Sequence, residues 1–183
     1  RQTKQRGNTR MAFFAPSFRF HRVEEITPAF LQSQGVRGLL LDVDNTLSPH
    51  NAPLPEPMAV HWLKKMQRAG VAVMIVSNNH PARVAPFAAR LGLPFTANAA
   101  KPLPLGFDRA RRALGLPRES LAVVGDQLFT DMAGANAAHL RAILVDPIQP
   151  ETHGFLRVKR KWERPLLPRY PYTEIQKKEA DPQ

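Results

Sequence analysis

The sequence contains no cysteine among its 183 residues. This absence excludes disulfides, thiolate zinc sites and a cysteine nucleophile, and it fits a reducing compartment. No apolar run approaches the roughly 18 residues that cross a bilayer. The apolar stretch 11–15 ends before Pro16 and is too short for the core of a secretory signal. We therefore expect a cytoplasmic globular protein.

Acidic residues are also few. The chain has 15 Asp and Glu against 26 Lys and Arg, a formal charge of +11. Such an excess favours anionic partners, namely nucleic acid, an anionic lipid surface or a phosphorylated substrate, although solubility alone would also explain it. No nucleic-acid-binding motif is present, and only two Tyr and two Trp are available to stack on bases.

Apolar runs alternate with helical patterns that end at glycine. Strands apolar on both faces, separated by such helices, indicate a parallel sheet covered on both sides. The predicted fold is a three-layer, Rossmann-like α/β domain with five parallel strands over residues 34–150, between an irregular extension (1–33) and a basic, proline-containing tail (151–183). The predicted strands are 36–42, 71–77, 95–97, 121–125 and 141–145, and the predicted helices are 57–69, 82–91, 105–114 and 129–138, with a short helix at 27–32 capped by Thr27.

Polar side chains follow most of these strands where the strands end. Parallel strands bring their carboxyl ends to one sheet edge, where ligands bind beside the switch in strand order. Carboxylates clustered there repel one another unless a hard cation is present, and oxygen-only ligands suit Mg²⁺. The sequence therefore predicts a magnesium-dependent phosphoryl-transfer site. Its candidate residues are Asp42, Asp44, Thr46, Ser77, Asn78, Lys101, Asp126 and Asp131.

The metal is expected at Asp42, Asp126 and a backbone carbonyl near Asp44. A hydroxyl with adjacent backbone N–H groups (Ser77, Asn78) and the ammonium of Lys101 would hold the remaining phosphoryl oxygens.

Each candidate taken alone also has a purely structural interpretation. These are a turn for Asp44–Asn45, a helix cap for Ser77 and Asn79, a solvated charge for Lys101, a helix-dipole contact for Asp131, and a surface position rather than a substrate headgroup contact for Arg83.

Four motifs occur in order: DVDNT at 42–46, Ser77, Lys101 in AAKP, and GDQLFTD at 125–131. This series resembles the haloacid dehalogenase superfamily of phosphatases. The fuller series, with LLLDVDNTL, IVSNN, GDQLFTDMAGAN and ILVDP, resembles its class IIIA YqeG family over about residues 34–150.

The resemblance implies a role for each motif residue. Asp42 would be the nucleophile that forms an aspartyl-phosphate, and Asp44 the general acid and then base. Asp126 would complete the Mg²⁺ site. Asp131 would support Lys101 or a metal-bound water from outside the ligand set, and Thr46 would order the loop that carries Asp44.

Related enzymes insert a cap domain after the first or third strand, and this sequence has no room for one. The loop 47–57 is short and proline-rich, and 95–101 admits no insertion. An uncapped site is either closed by oligomer contacts or acts on a large or membrane-borne substrate, such as a phospholipid headgroup, a protein or a nucleic-acid end. The resemblance favours phosphatidylglycerophosphate, because eukaryotic relatives dephosphorylate it.

The tail is consistent with peripheral contact at the inner face of an anionic membrane, since Arg157, Lys159, Arg160, Lys161 and Arg164 surround Trp162. A tail packed on the domain through Trp162, Leu166 and Leu167 is the alternative.

A phosphatase for another substrate is one alternative. A second, from a different class, is a nucleic-acid- or ribosome-associated protein that binds through its basic ends. A third is a non-catalytic receiver domain. We reject the receiver because its acceptor aspartate follows the third strand, whereas the acidic pair here follows the first.

Overall fold

The computed structural model describes residues 13–150 and 154–175. It contains one sheet of six strands with helices on both faces. The strands are β1 (Phe18–Phe20), β2 (Gly38–Leu41), β3 (Ala72–Val76), β4 (Phe95–Thr96), β5 (Leu121–Gly125) and β6 (Arg141–Val145). The helices are α1 (Pro28–Ser33), α2 (Pro57–Arg68), α3 (Pro81–Leu91), α4 (Leu105–Leu114), α5 (Ala133–Ala137) and α6 (Gly154–Glu163).

All neighbouring strands are parallel, in the order β1-β6-β5-β2-β3-β4. From β2 the chain first builds outward through β3 and β4, and then returns to the other side of β2 with β5. The switch in strand order therefore lies between β2 and β5, in register through Leu41 and Val124. Ligands bind at the carboxyl ends of the strands at such a switch.

The helices form the two outer layers because each strand alternates its side chains between the faces. On one face, Leu39 and Ile75 pack in a core with residues of α1, α2 and α3. On the other, Leu40 and Met74 pack with residues of α4 and α5. Thr27 caps α1 as predicted, since its side chain accepts a hydrogen bond from the Phe30 N–H. The predicted three-layer α/β fold is confirmed.

The prediction of five strands is wrong by one. The additional strand, β1, lies in the segment assigned to an irregular extension, and it pairs with β6 with Phe18 opposite Ile143. Three residues are too few to show a period in sequence, so this edge strand is defined by its pairing.

The predicted helix 129–138 also differs, because it starts as a π-helical turn, Leu128–Met132, before α5. Within the described residues, every helix is too short or too polar to cross a bilayer.

The C-terminal segment is fastened to β1 and β6. Thr173 donates its backbone N–H to the Arg19 carbonyl, and Arg19 donates its own N–H to the Thr173 hydroxyl. The Asp146 carboxylate accepts hydrogen bonds from the Arg19 guanidinium at 2.9 Å and the Tyr172 hydroxyl at 2.6 Å. The polar, proline-dotted tail sequence predicts disorder beyond Tyr172. Thr173 is instead bonded to Arg19 of β1, and residues 176–183 lie outside the described residues.

Asp146 makes this attachment depend on pH. Burial raises the pKa of Asp146, but hydrogen bonds from Tyr172 and Arg19 outweigh burial, so the pKa falls below its usual value of 3.8. We expect Asp146→Asn to lower the free energy of unfolding by about 1–2 kcal/mol near neutral pH. Because the folded-state pKa is the lower one, this difference is complete well above 3.8 and is lost as the pH falls through the lowered pKa.

Urea unfolding of both proteins at a series of pH values from neutral to strongly acidic measures this difference. Glu119→Gln, which changes an exposed carboxyl group, serves as the control and should shift stability by less than about 0.5 kcal/mol. A stability difference between Asp146→Asn and wild type that persisted unchanged into strong acid would show that the ionised Asp146 carboxylate does not stabilise this attachment.

Candidate active site

Six of the eight predicted residues line one cavity at the switch in strand order, whereas Asp126 lines the neighbouring cavity and Thr46 a third one. Asp42 directly follows β2 and Asp126 directly follows β5, so neighbouring strands deliver both carboxylates to the same edge. The cavity has a volume of about 600 Å³. Its lining includes Asp42, Asp44, Ser77, Asn78, Lys101 and Asp131, together with His50, Asn79, Pro102, Gln127, Phe129, Thr130 and Lys159.

The ammonium of Lys101 lies between two carboxylates. Its Nζ is 2.6 Å from Asp42 Oδ1 and 2.7 Å from Asp131 Oδ1, and all three residues are buried. Burial acts to lower the pKa of Lys101, but Asp131 and Asp42 outweigh burial and raise it above its usual value. Lys101 is therefore a permanent cation here, and the interpretation of Lys101 as a solvated charge is wrong.

The backbone of Lys101 is held by Asn78. The Asn78 side chain accepts a hydrogen bond from the Lys101 N–H at 2.7 Å and donates one to the Lys101 carbonyl at 3.0 Å. Both polar groups of this side chain are thus engaged with one residue. Asn78 thereby holds the loop after β4 in place.

Asp131 reaches the site from the π-helical turn after β5. Besides pairing with Lys101, its Oδ2 accepts a hydrogen bond from the Gln127 N–H at 3.2 Å. A Cβ atom on Gly125 would lie 2.4 Å from the Asp131 carboxyl carbon, so glycine is required at the end of β5. The predicted contact between Asp131 and Lys101 is present, and the carboxylate points into the site rather than serving only the helix dipole.

The carboxylates carry more negative charge than Lys101 neutralises. Burial, followed by the repulsion of Asp131 and Asp44, raises the pKa of Asp42 to about 7 against the attraction of Lys101. Ligand oxygens of Asp42, Asp126 and Asp131 lie within 4.8 Å of one another. Asp126 Oδ1 is buried and has no hydrogen-bond partner among the described residues. An unpartnered carboxylate oxygen in an acidic cluster fits a hard cation such as Mg²⁺.

Asp44 lies on a tight loop after β2. Asn45 adopts a positive φ of 61°, a conformation that asparagine tolerates better than most residues, and its N–H donates to the Ser48 carbonyl. This turn aims Asp44 into the cavity, where it accepts hydrogen bonds from the Asn51 N–H at 2.9 Å and the Asn79 side chain at 2.5 Å. Asp44 therefore belongs to a turn and also contributes its carboxylate to the site.

Ser77 and Thr46 are the two hydroxyl-bearing residues predicted for the site, and both are buried. The Ser77 hydroxyl is buried at the end of β3 and accepts a hydrogen bond from the Asn79 N–H at 3.1 Å. His80 caps α3. The interpretation of Ser77 or Asn79 as a helix cap is therefore wrong. Thr46 is buried beside Asp44, and its hydroxyl has no partner among the described residues. The role of Thr46 in ordering the Asp44 loop stays a prediction.

Comparison with known proteins agrees with this geometry. A family model for haloacid dehalogenase-like hydrolases matches residues 30–139, more than half of the chain. A curated relative, "Probable phosphatase YqeG" of Bacillus subtilis (strain 168), is 38% identical over 155 residues, which cover 85% of this chain and 90% of the relative. The chain belongs to the haloacid dehalogenase-like hydrolases. The predicted family membership is confirmed, and the protein is a phosphatase.

Solved structures of low identity share the fold of this haloacid dehalogenase-like chain. An uncharacterized protein from Listeria monocytogenes serotype 4b superimposes with a TM-score of 0.53 at 21% identity, covering 65% of this chain and 85% of that one. A haloacid dehalogenase-like hydrolase from Brucella suis 1330 gives 0.51 at 13% identity, covering 68% and 88%. These similarities support the α/β architecture alone.

Two residues of the site were missed or undervalued by the sequence analysis. Asn79, taken as a helix cap, donates to Asp44, and Arg83, taken as a surface residue, lies 3.4 Å from Asp44 and donates to the Ala52 carbonyl at 2.7 Å. The signal for Arg83 was its position in the first turn of α3, one turn after the Ser77 motif. For Asn79 the signal was the paired asparagines in that motif.

The sequence did not predict that α6 contacts the site. This helix lies against the residues that follow β5. Arg160 donates to the Asp126 side chain and to the Asp126 carbonyl, and it pairs with Glu163 at 3.1 Å. Glu163 is 1% exposed and accepts a hydrogen bond from the Phe129 N–H at 2.9 Å. The tail therefore packs on the core beside an expected metal ligand, through Arg160 and Glu163. Leu166 and Leu167 also pack on the core, as the packed-tail alternative expected, but Trp162 is 71% exposed.

The Lys101 ion pairs make a testable prediction about stability. Lys101→Met would leave Asp42 and Asp131 buried without their shared cation, and removing one partner of a buried ion pair costs about 3–5 kcal/mol. Adding Asp42→Asn should restore part of this loss, since it removes one uncompensated carboxylate. Chemical unfolding of the single and double variants measures both effects.

The matched control is Lys65→Met on α2, where the lysine is exposed. Its free energy of unfolding should stay within about 0.5 kcal/mol of wild type. Equal effects of Lys101→Met and Lys65→Met would show that the ion pairs do not stabilise the site.

Proposed function

We propose that this phosphatase is a Mg²⁺-dependent phosphomonoester hydrolase that acts through an aspartyl-phosphate on Asp42. Its proposed substrate is phosphatidylglycerophosphate, from which it would release phosphate and leave phosphatidylglycerol. The observation that carries the chemistry is the Asp42 carboxylate held at the switch in strand order, beside the cation of Lys101 and the unpartnered oxygen of Asp126.

The acidic cluster fits the expected metal. Asp42 and Asp126, with a backbone carbonyl near Asp44, would hold Mg²⁺, which supplies positive charge to neutralise phosphoryl oxygens. Lys101 supplies a second positive charge beside Asp42. The buried Ser77 hydroxyl and the Asn78 N–H supply neutral donors on the neighbouring strand end.

Two steps complete the proposed reaction. In the first, an Asp42 oxygen bonds to phosphorus while the ester bond to the alcohol breaks, and Asp44 donates a proton to the leaving oxygen. In the second, water attacks the phosphorus, Asp44 accepts a water proton, and the bond between phosphorus and Asp42 breaks. Inorganic phosphate leaves and both carboxyl groups return to their starting states. Asn79 and Arg83 would hold Asp44 in position for both proton transfers.

The lipid substrate is supported by the uncapped edge and by the surface next to it. The exposed side of α6 carries Trp162, 71% exposed, and Val158, 52% exposed, together with the basic residues Arg157 and Lys161. Aromatic and apolar side chains among basic residues suit an anionic membrane surface. A cavity of about 830 Å³ adjoins Asp126, and its walls include Arg157, Val158 and Lys161 of α6. We therefore propose that the protein is cytoplasmic and binds peripherally to the inner face of the membrane.

Metal binding is testable without substrate. We expect saturating Mg²⁺ to raise the Tm of the metal-stripped protein by about 5 °C, because a ligand at a hundredfold excess over its Kd stabilises the folded state by about 2.7 kcal/mol. Asp126→Asn should abolish this shift relative to its own metal-free baseline, and Asp108→Asn, which changes a surface carboxyl group paired with Arg118, should keep it. An unchanged shift in Asp126→Asn would place the metal elsewhere.

The substrate is tested by phosphate release with Mg²⁺. Wild type should hydrolyse phosphatidylglycerophosphate in anionic vesicles, and Asp42→Asn should lose at least about 10³-fold in rate, because no other group replaces the nucleophile. Asp108→Asn should retain the wild-type rate. Hydrolysis of p-nitrophenyl phosphate without hydrolysis of the lipid would support the phosphatase reaction and overturn the lipid as its substrate. Salt-sensitive oligonucleotide binding that survives Asp42→Asn would favour the nucleic-acid alternative.

A further inference from the structure

Lys159 enters the catalytic cavity from α6, outside the four motifs. Its side chain lines the cavity with Gln127 and Thr130. The ammonium donates to Gln127 Oε1 at 2.5 Å and lies 3.4 Å from the Thr130 hydroxyl. Both of these partners are neutral oxygens, and Lys159 is half-buried.

Other cations around this site differ from Lys159 because each has a carboxylate partner. Lys101 pairs with Asp42 and Asp131, and Arg160 pairs with Asp126 and Glu163. Among the described residues, no carboxylate lies within ion-pair distance of the Lys159 ammonium. Burial lowers the pKa of Lys159, and this effect exceeds the attraction of Glu163 and Asp131. A half-buried cation without a counter-charge is unfavourable in the free protein and favourable once an anion arrives.

The position of Lys159 distinguishes its anion from the phosphoryl group being transferred. Lys101 comes from the loop after β4 and lies against Asp42, where the phosphorus is attacked. Lys159 comes from α6 and lies over Gln127 and Thr130, on the π-helical turn that follows β5. Because the Lys159 ammonium bonds to Gln127 and Thr130 and forms no ion pair with Asp42, we infer that it contacts a different part of a substrate whose phosphoryl group rests on Asp42.

We propose that Lys159 is a specificity-determining residue that binds a second anionic group carried by the leaving group of the substrate. The favoured substrates are phosphomonoesters whose alcohol bears a phosphodiester or a further phosphate. This inference rests on the proposed phosphomonoesterase reaction, and it requires no particular lipid.

Two soluble probes isolate the second anion, since glycerol 3-phosphate and glycerol 1,3-bisphosphate differ by one phosphate group on the leaving side. Wild type should show the lower KM for the bisphosphate. Lys159→Gln should raise the KM for the bisphosphate about tenfold, with kcat within about twofold, and leave the KM for glycerol 3-phosphate nearly unchanged. Lys159→Arg, which keeps the charge, should restore most of the lost affinity.

Lys65→Gln on α2 is the matched control, because it removes one positive charge from an exposed position away from the cavity. Both KM values should stay at the wild-type level in this variant. Equal KM changes for the two probes in Lys159→Gln, or no change for either, would overturn the role of Lys159 while leaving the phosphatase intact. Failure of wild type to hydrolyse either probe and p-nitrophenyl phosphate would instead overturn the proposed reaction itself.

Discussion

The active site depends on one buried ammonium group between two buried carboxylates. Charges removed from water cost several kcal/mol each, and close opposite charges with good hydrogen-bond geometry recover this cost. Lys101 satisfies both Asp42 and Asp131 at hydrogen-bonding distance. The three groups come from the end of β2, the loop after β4 and the turn after β5, so this one cation holds together segments that are far apart in sequence. The glycine at the end of β5 is part of the same constraint, since only Gly125 leaves room for the Asp131 carboxylate.

Much of this arrangement could be predicted from the sequence, because most of the site residues lie directly after predicted strands. Continuous apolar runs identify β2, β3, β5 and β6, and parallel pairing then brings the residues after them to one edge. The edge strand β1 was missed because three residues show no period, and its identity comes from hydrogen bonds to β6. Short-range rules also misassigned Asn79, whose hydrogen bond to Asp44 depends on how two loops fold toward each other.

The C-terminal helix shows a different limit of sequence reasoning. Its basic residues predicted anionic partners outside the molecule, yet Arg160 finds a carboxylate within it, on Asp126. Charge composition cannot distinguish these cases, because an ion pair depends on where a helix docks. Glu163, the acidic residue in α6, was the available signal, since a single carboxylate among cations marks a buried face. The helix thus borders the site through its contacts with Asp126, Gln127 and Phe129.

The attachment of Thr173 to β1 affects whether the sheet can pair with another molecule. A sheet of parallel strands has two edges, and an edge with free backbone groups can pair with a strand of another chain. At β1, the Arg19 N–H and carbonyl are already bonded to Thr173. At the opposite edge, β4 has only two residues. One edge is thus shielded by the chain's own tail and the other is too short to template a partner, which protects the sheet from edge-to-edge aggregation.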